Sequence, residues 1–260
     1  MLTRIITSIV ALAVFFGILL LKPIFFTAAV AVVILAMLYE CFNALKCKPS
    51  VRIAGYISAI LLMAGFHSGH YLEAAVVIVA VFVILLIALH GKINYRDIFA
   101  PAMLVMYIVT FMSFIIKVRD DYSVYEMMLI FICAWMSDTG AYFAGTFFGK
   151  HKLIPHVSPK KTVEGSVGGI VICAVSCLLY LFILKSFGRE VTVGYISVAI
   201  AGAAASVMTQ FGDLAASAIK RDCGVKDYGK IFPGHGGFMD RFDSVMFIAP
   251  FVYYFITLIK

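Results

Sequence analysis

Residues 72–90, LEAAVVIVAVFVILLIALH, hold one formal charge, Glu73, in nineteen positions. That is close to the about 20 apolar residues a helix needs to cross a bilayer. Comparable runs lie at 5–21, 24–45, 51–66, 98–117, 124–148, 163–187, 191–219 and 244–259, of which the third and last of the nine are short. Mean hydropathy of +1.04, with 63% apolar and 13% charged residues, excludes a soluble globular chain. The predicted fold is all-α: a polytopic integral membrane protein of about nine transmembrane helices. The polar stretches between the runs are too short for a soluble domain, so residues 1–260 read as a single transmembrane domain. Within it, 1–117 are N-terminal helices without a legible role, and 124–260 carry the polar loops. The first run is followed directly by Lys22, Pro23 and a second run, which fits an uncleaved span better than a secretory signal.

Basic residues set the orientation. The N-terminal side and the even-numbered loops carry fifteen Lys and Arg, and the opposite side carries six. The positive-inside rule therefore places the N-terminus in the cytoplasm and the C-terminus across the membrane. The loops 149–162 and 220–243 then share the cytoplasmic face, where soluble nucleotides reach them. Topology and phosphate-bearing ligands account for the net charge of +7 without a nucleic-acid partner. The six cysteines show no CxxC spacing and read as small apolar side chains. Gly145/Gly149 and Gly165/Gly169 have the small-xxx-small spacing of helix packing.

Residues 220–243 hold nine of the 35 formal charges, where an even spread would give about three, and charge in such a chain tends to mark function. At helical spacing Asp213, Ser217 and Lys220 fall on one face at the end of the eighth span. An aspartate there can hold a divalent cation whose other ligands come from phosphate and water, as Mg²⁺ prefers. Asp240 and Asp243 lie about one helical turn apart, before the last span. Gly234, Gly236 and Gly237 allow a sharp turn and a close approach to a ligand. Lys220, Arg221, Lys226, Lys230 and Arg241 supply charge for phosphates. The competing reading is an ordinary charged loop whose acidic residues cap the final helix, with His235 satisfying a turn. Asp138, inside the sixth span, is satisfied by its neighbours or faces a polar cavity. In the loop after it, Lys160 and Lys161 beside Ser158, Thr162 and Glu164 either fix topology or meet an anionic nucleotide.

The stretch SAIKRDCGVKDYGKIFPGHGGFMDRFDS, residues 217–244, resembles the signature of the phosphatidate cytidylyltransferases, or CDP-diacylglycerol synthases. SDTGAYFAG, FGKHKL, SPKKTVEGSVGG and QFGDL are similar to the same family, as is the opening TRIITSIV, so the resemblance runs through the whole chain, loosely in the first half. One departure is Ala216, where the family commonly has Glu. The resemblance implies attack by phosphatidic acid on the α-phosphorus of CTP, giving CDP-diacylglycerol and pyrophosphate. It implies Mg²⁺ at Asp213 and Asp240, with a second monovalent or divalent cation. Ser217, Lys220, Arg221 and His235 join the catalytic set. Ser158, Lys160, Lys161, Thr162, Glu164, Lys226, Asp227, Gly236, Gly237, Arg241, Asp243 and Asp138 become substrate contacts. The expected setting is a bacterial plasma membrane, with a cavity open to the cytoplasm and to lipid, and a homodimer. Alternatives are a CTP-dependent polyprenol kinase, another lipid cytidylyltransferase and, in a different class, an ion-coupled transporter. The lack of an inverted repeat weighs against transport.

Overall fold

Apolar runs of this length become helices because, in hydrocarbon, each backbone N–H and C=O must find its partner within the segment. A computed structural model describes residues 2–189, 193–232, 234 and 236–259, with side chains from Ile9 onward. Among the described residues are nine α-helices and one β-hairpin: α1 Leu2–Leu19, α2 Pro23–Ala44, α3 Pro49–Ser68, α4 Tyr71–Ala88, α5 Arg96–Asp121, α6 Val124–Phe148, β1 Lys152–Ile154, β2 Ser158–Thr162, α7 Val163–Ser186, α8 Tyr195–Asp222 and α9 Met239–Ile259. Helices α2 to α9 are each long and apolar enough to cross a membrane, and the described apolar part of α1, Ile9–Leu19, is shorter.

The all-α reading holds, with three adjustments. The third and last spans, expected to be short, have 20 and 21 residues. Pro49 and Pro23 each open a helix at a position whose N–H has no intrahelical partner in any case. The last helix begins at Met239 rather than 244, so Asp240 and Asp243 lie in its first turns. There their negative charge complements the helix dipole. The loop 149–162 is folded as an antiparallel hairpin that pairs Lys152 with Thr162 and Ile154 with Ser158.

The chain divides into two compact units, residues 1–116 with 222–241 and residues 117–221 with 242–260. In the first, Ile34, Met37, Leu38 and Phe42 of α2, Leu62 of α3, Phe82 of α4 and Ile108 and Met112 of α5 are fully buried or nearly so. Arg52 closes the end of α2, donating from Nε to the Cys47 carbonyl (2.9 Å) and from Nη1 to Asn43 Oδ1 (2.7 Å). A cation suits the negative end of a helix.

In the second unit, α6 and α7 meet backbone to backbone along small residues, Gly165 and Gly169 of the spacing pattern among them together with Gly168. A Cβ on Gly168 would lie 2.1 Å from Ala144 Cβ, and one on Gly165 would lie 2.8 Å from the Ala141 carbonyl oxygen. Small residues let membrane helices approach closely where no hydrophobic force separates helix from lipid. Ser137 Oγ meets Ser206 Oγ at 2.6 Å in a buried pair, and Gln210 Nε2 donates to the Ser166 carbonyl at 3.2 Å, so polar contacts tie α8 to both helices. Gly168→Leu should therefore separate α6 from α7 at a cost of about 3 kcal/mol or more, since even modest overpacking costs 1–3. A thermal unfolding series in detergent, with Val167→Leu on the exposed face as control, checks this.

Candidate functional site

The second unit brings four of the sequence-predicted residues together. Helix α8 passes α9 at Gly212, where a Cβ would stand 2.6 Å from both the Asp243 carbonyl oxygen and Phe247 Cβ. That close crossing sets Asp213 beside Asp243. Ser217, one turn on, donates to Asp213 Oδ1 (3.4 Å), and the Lys161 ammonium pairs with Asp213 Oδ2. Asp243 is only 7% exposed, and its Oδ1 accepts from Ser244 N at 2.8 Å. Asp213, Lys220 and Asp138 are all near enough to act on it electrostatically. Asp138 itself is exposed rather than sealed in a helix interface.

The hairpin is held to this cluster from both ends. Arg221 Nε donates to the Val157 carbonyl near the hairpin turn (3.3 Å). At the base Thr162 is buried as the N-cap of α7, its Oγ1 accepting from Gly165 N at 3.1 Å. Glu164 accepts from Lys150 N (3.1 Å) and meets the His151 ring at 2.6 Å, which ties the start of the hairpin to α7. Successive strand residues face opposite ways. Lys161 turns to Asp213, while Lys160 is exposed and Ser158 half-buried. Thr162 and Glu164, expected as substrate contacts, thus serve the hairpin's anchorage in this structure.

In the first unit, Asp240 organises the glycine-rich loop. Its Oδ2 accepts from Tyr228 N (2.8 Å) and Gly237 N (3.1 Å). The loop closes on itself where Phe232 N donates to the Gly236 carbonyl (2.9 Å), and Phe232 packs edge-on to Phe238. Gly236 has φ of +89°, and a Cβ there would lie 2.8 Å from Asp240 Oδ2, so glycine is required on two counts. Lys226, Asp227 and Arg241 are exposed; His235 lies outside the described residues.

A residue that sequence reading passed over completes this arrangement. Glu40 of α2 is 2% exposed and accepts from Phe238 N (3.0 Å) and Met239 N (2.9 Å). The available signal was an acidic residue within a predicted span, the criterion that picked out Asp138.

The donor chemistry suits a hard divalent cation. Asp213 in the second unit and Asp240 in the first each offer carboxylate oxygens oriented by hydrogen bonds, the ligand type Mg²⁺ takes alongside phosphate and water. Soft donors gather elsewhere: Cys133, Cys173 and Cys177 are buried between α6 and α7, with the Cys133 and Cys177 sulfurs 3.4 Å apart. Two further thiols belong to the first unit, Cys47 and Cys223. Burial pushes Cys47, between α2 and α3, up to about 11, and raises Cys223 as well. The thiolate is the reactive form. Both should therefore alkylate well below the rate of a free thiol at pH 8, as followed by mass spectrometry of intact protein.

Fold and cluster together define an integral membrane protein with carboxylates and cations at the ends of α8 and α9 and on the hairpin. The chain belongs to the cytidylyltransferase family, whose model matches residues 2–259. It is 32% identical over 267 residues to the phosphatidate cytidylyltransferase of Bacillus subtilis (strain 168), covering 98% of this chain and 97% of that protein. It is 34% identical over 255 residues to the phosphatidate cytidylyltransferase of Staphylococcus aureus (strain COL), with 95% of each covered. Ala216 is fully buried, a packing position on α8.

Proposed function

We propose that the protein transfers CMP from CTP to phosphatidic acid, forming CDP-diacylglycerol and releasing pyrophosphate. The observation that carries this reading is the cluster of Asp213, Ser217 and Asp243 on membrane helices, met by Lys161 from a hairpin held against it. The full-length likeness to proteins named phosphatidate cytidylyltransferase supports the same substrates.

The nucleophile is a phosphate oxygen of the lipid, already anionic, so no strong protein base is needed. A new O–P bond forms at the α-phosphorus while the bond to the β-phosphate's bridging oxygen breaks, and pyrophosphate leaves with that electron pair. Catalysis then rests on positioning and charge neutralisation. Lys161, Lys220, Arg221, Lys226 and Arg241 are assigned to the phosphates, with Lys160 and Ser158 as further nucleotide contacts. Bound Mg²⁺, with carboxylate ligands assigned as Asp213 and Asp240, supplies neutralisation of the attacking and leaving oxygens. A second cation, monovalent or divalent, is assigned to the reaction as well, and Asp243 and Asp138 are assigned to substrate contact. Lys161 is paired with Asp213, so a cation held by that carboxylate would leave the lysine free to meet phosphate. Ser217 orients Asp213.

The reading sets the reaction at the cytoplasmic face of a bacterial plasma membrane, where CTP is available, with the lipid entering from the bilayer and the enzyme a homodimer. Purified protein given CTP, phosphatidic acid and Mg²⁺ should release one pyrophosphate for each CMP-bearing lipid formed. CDP together with a newly phosphorylated lipid would indicate a kinase. No turnover, with ion-driven uptake in vesicles, would indicate a transporter.

A further inference from the structure

Glu40 sits where three separate features of the glycine-rich loop converge. Its two oxygens divide their work, Oε1 taking the Phe238 amide and Oε2 the Met239 amide. These are the residues at the very start of α9, whose first N–H groups have no partner within the helix. A carboxylate is the favoured group at that end, and here it comes from α2, about two hundred residues away in sequence. The loop is also built around it. A Cβ on Gly229 would lie 2.2 Å from Glu40 Oε1, and one on Gly237 would lie 2.2 Å from Oε1 and 2.3 Å from Oε2. Two glycines of the loop are thus glycines because Glu40 occupies the space a side chain would need.

The same backbone holds Asp240. Its Oδ2 takes the amides of Tyr228 and Gly237, each next in sequence to a residue that touches Glu40. Glu40 and Asp240 therefore grip one stretch of chain between them, Glu40 through the amides of 238 and 239 and Asp240 through those of 228 and 237. A shift of Glu40 moves Gly237, and a shift of Gly237 moves the hydrogen bond that aims Asp240.

We propose that Glu40 is a positioning residue for Asp240: it fixes the start of α9 and the turn before it, so that the Asp240 carboxylate is held at the angle its cation requires. This rests on the reading of Asp240 as a metal-binding carboxylate. Glu40 touches neither substrate nor metal and acts through the loop.

Glu40→Gln tests this with little change in shape. A glutamine oxygen can accept one of the two amides, but its NH₂ then faces the other amide's hydrogen, and one bond is lost. The expected result is a fall in kcat of about tenfold to a hundredfold, since modest misplacement of a reacting group costs on that order. The Mg²⁺ concentration for half-maximal activity should rise several-fold, with the KM for phosphatidic acid little changed. Wild-type kcat and Mg²⁺ dependence in Glu40→Gln overturn the proposal. So does a variant that loses only thermal stability while its folded fraction keeps the wild-type Mg²⁺ dependence, because that is a purely structural role.

A second measurement does not depend on one variant folding. Gly237→Ala should lose activity because its Cβ meets the Glu40 carboxylate. Gly237→Ala combined with Glu40→Ala should be no worse than Glu40→Ala alone, since the obstruction is gone. Costs that simply multiply overturn the assignment. Asp240→Asn, run alongside, separates the two readings. If it keeps the wild-type Mg²⁺ response, the metal role of Asp240 fails; if it loses that response while Glu40→Gln does not, the role of Glu40 alone fails.

Discussion

Asp240→Asn should leave about a hundredth to a thousandth of wild-type turnover, in protein that still folds into the membrane. Asparagine keeps the shape and an oxygen to accept from Tyr228 N and Gly237 N, so the turn before α9 should survive. What is lost is the negative charge. Removing one well-placed electrostatic contact from a phosphoryl or acyl transition state costs about 3–4 kcal/mol, and each 1.36 kcal/mol is a factor of ten in rate. The measurement is turnover against Mg²⁺ concentration, beside a thermal midpoint to certify the fold. Near-normal turnover at limiting Mg²⁺ would sink the metal assignment.

Asp213→Asn is expected to match that loss with a different accompaniment. Asp213 pairs with Lys161, and both side chains are about a quarter exposed, so the pair contributes no more than about 1 kcal/mol to stability. The variant should therefore unfold within a few degrees of wild type while losing a comparable hundredfold to thousandfold in turnover. If Asp213 served only to hold the hairpin through Lys161, then Lys161→Ala would reproduce the full loss and Mg²⁺ dependence would be unchanged. A shifted Mg²⁺ dependence in Asp213→Asn, absent in Lys161→Ala, separates metal binding from hairpin anchorage.

The fold was largely legible because hydrocarbon allows few options for a backbone. A run such as 72–90 reads as a spanning helix, and α4 covers Tyr71–Ala88. Helix ends were harder. The last span was expected from 244 because Asp240, Arg241 and Asp243 look like a charged loop. Charge at a helix N-terminus is instead favourable, and Glu40 caps that end from a distance that no local pattern reveals. The hairpin was not legible either. Its strands have three and five residues and mostly polar side chains, so their pairing depends on anchorage by Thr162, Glu164 and Arg221 rather than on an alternating apolar pattern.

Within the site, spacing along a helix was a good guide and position in a loop a poor one. Asp213 and Ser217, four apart on α8, share a hydrogen bond as the helical period implies. Among the hairpin residues, only strand alternation in a folded structure distinguishes Lys161, which meets Asp213, from exposed Lys160. Glu40 shows the limit most clearly. The sequence offered its charge in an apolar run, but nothing in 23–44 says that its partners lie at 238 and 239. The N-terminal helices, without a legible role in the sequence, thereby acquire one: α2 supplies the carboxylate around which the glycine-rich loop folds.

The group transferred is proposed to be CMP and the acceptor a lipid phosphate. The most direct measurement supplies purified protein with phosphatidic acid, Mg²⁺ and CTP labelled at either the α- or the γ-phosphorus, and counts the label in extracted lipid. Label should enter lipid from α-labelled CTP only, with the γ-label recovered as pyrophosphate, and Asp240→Asn should transfer at about a hundredth to a thousandth of the wild-type rate. Lipid labelled from the γ-position would contradict it.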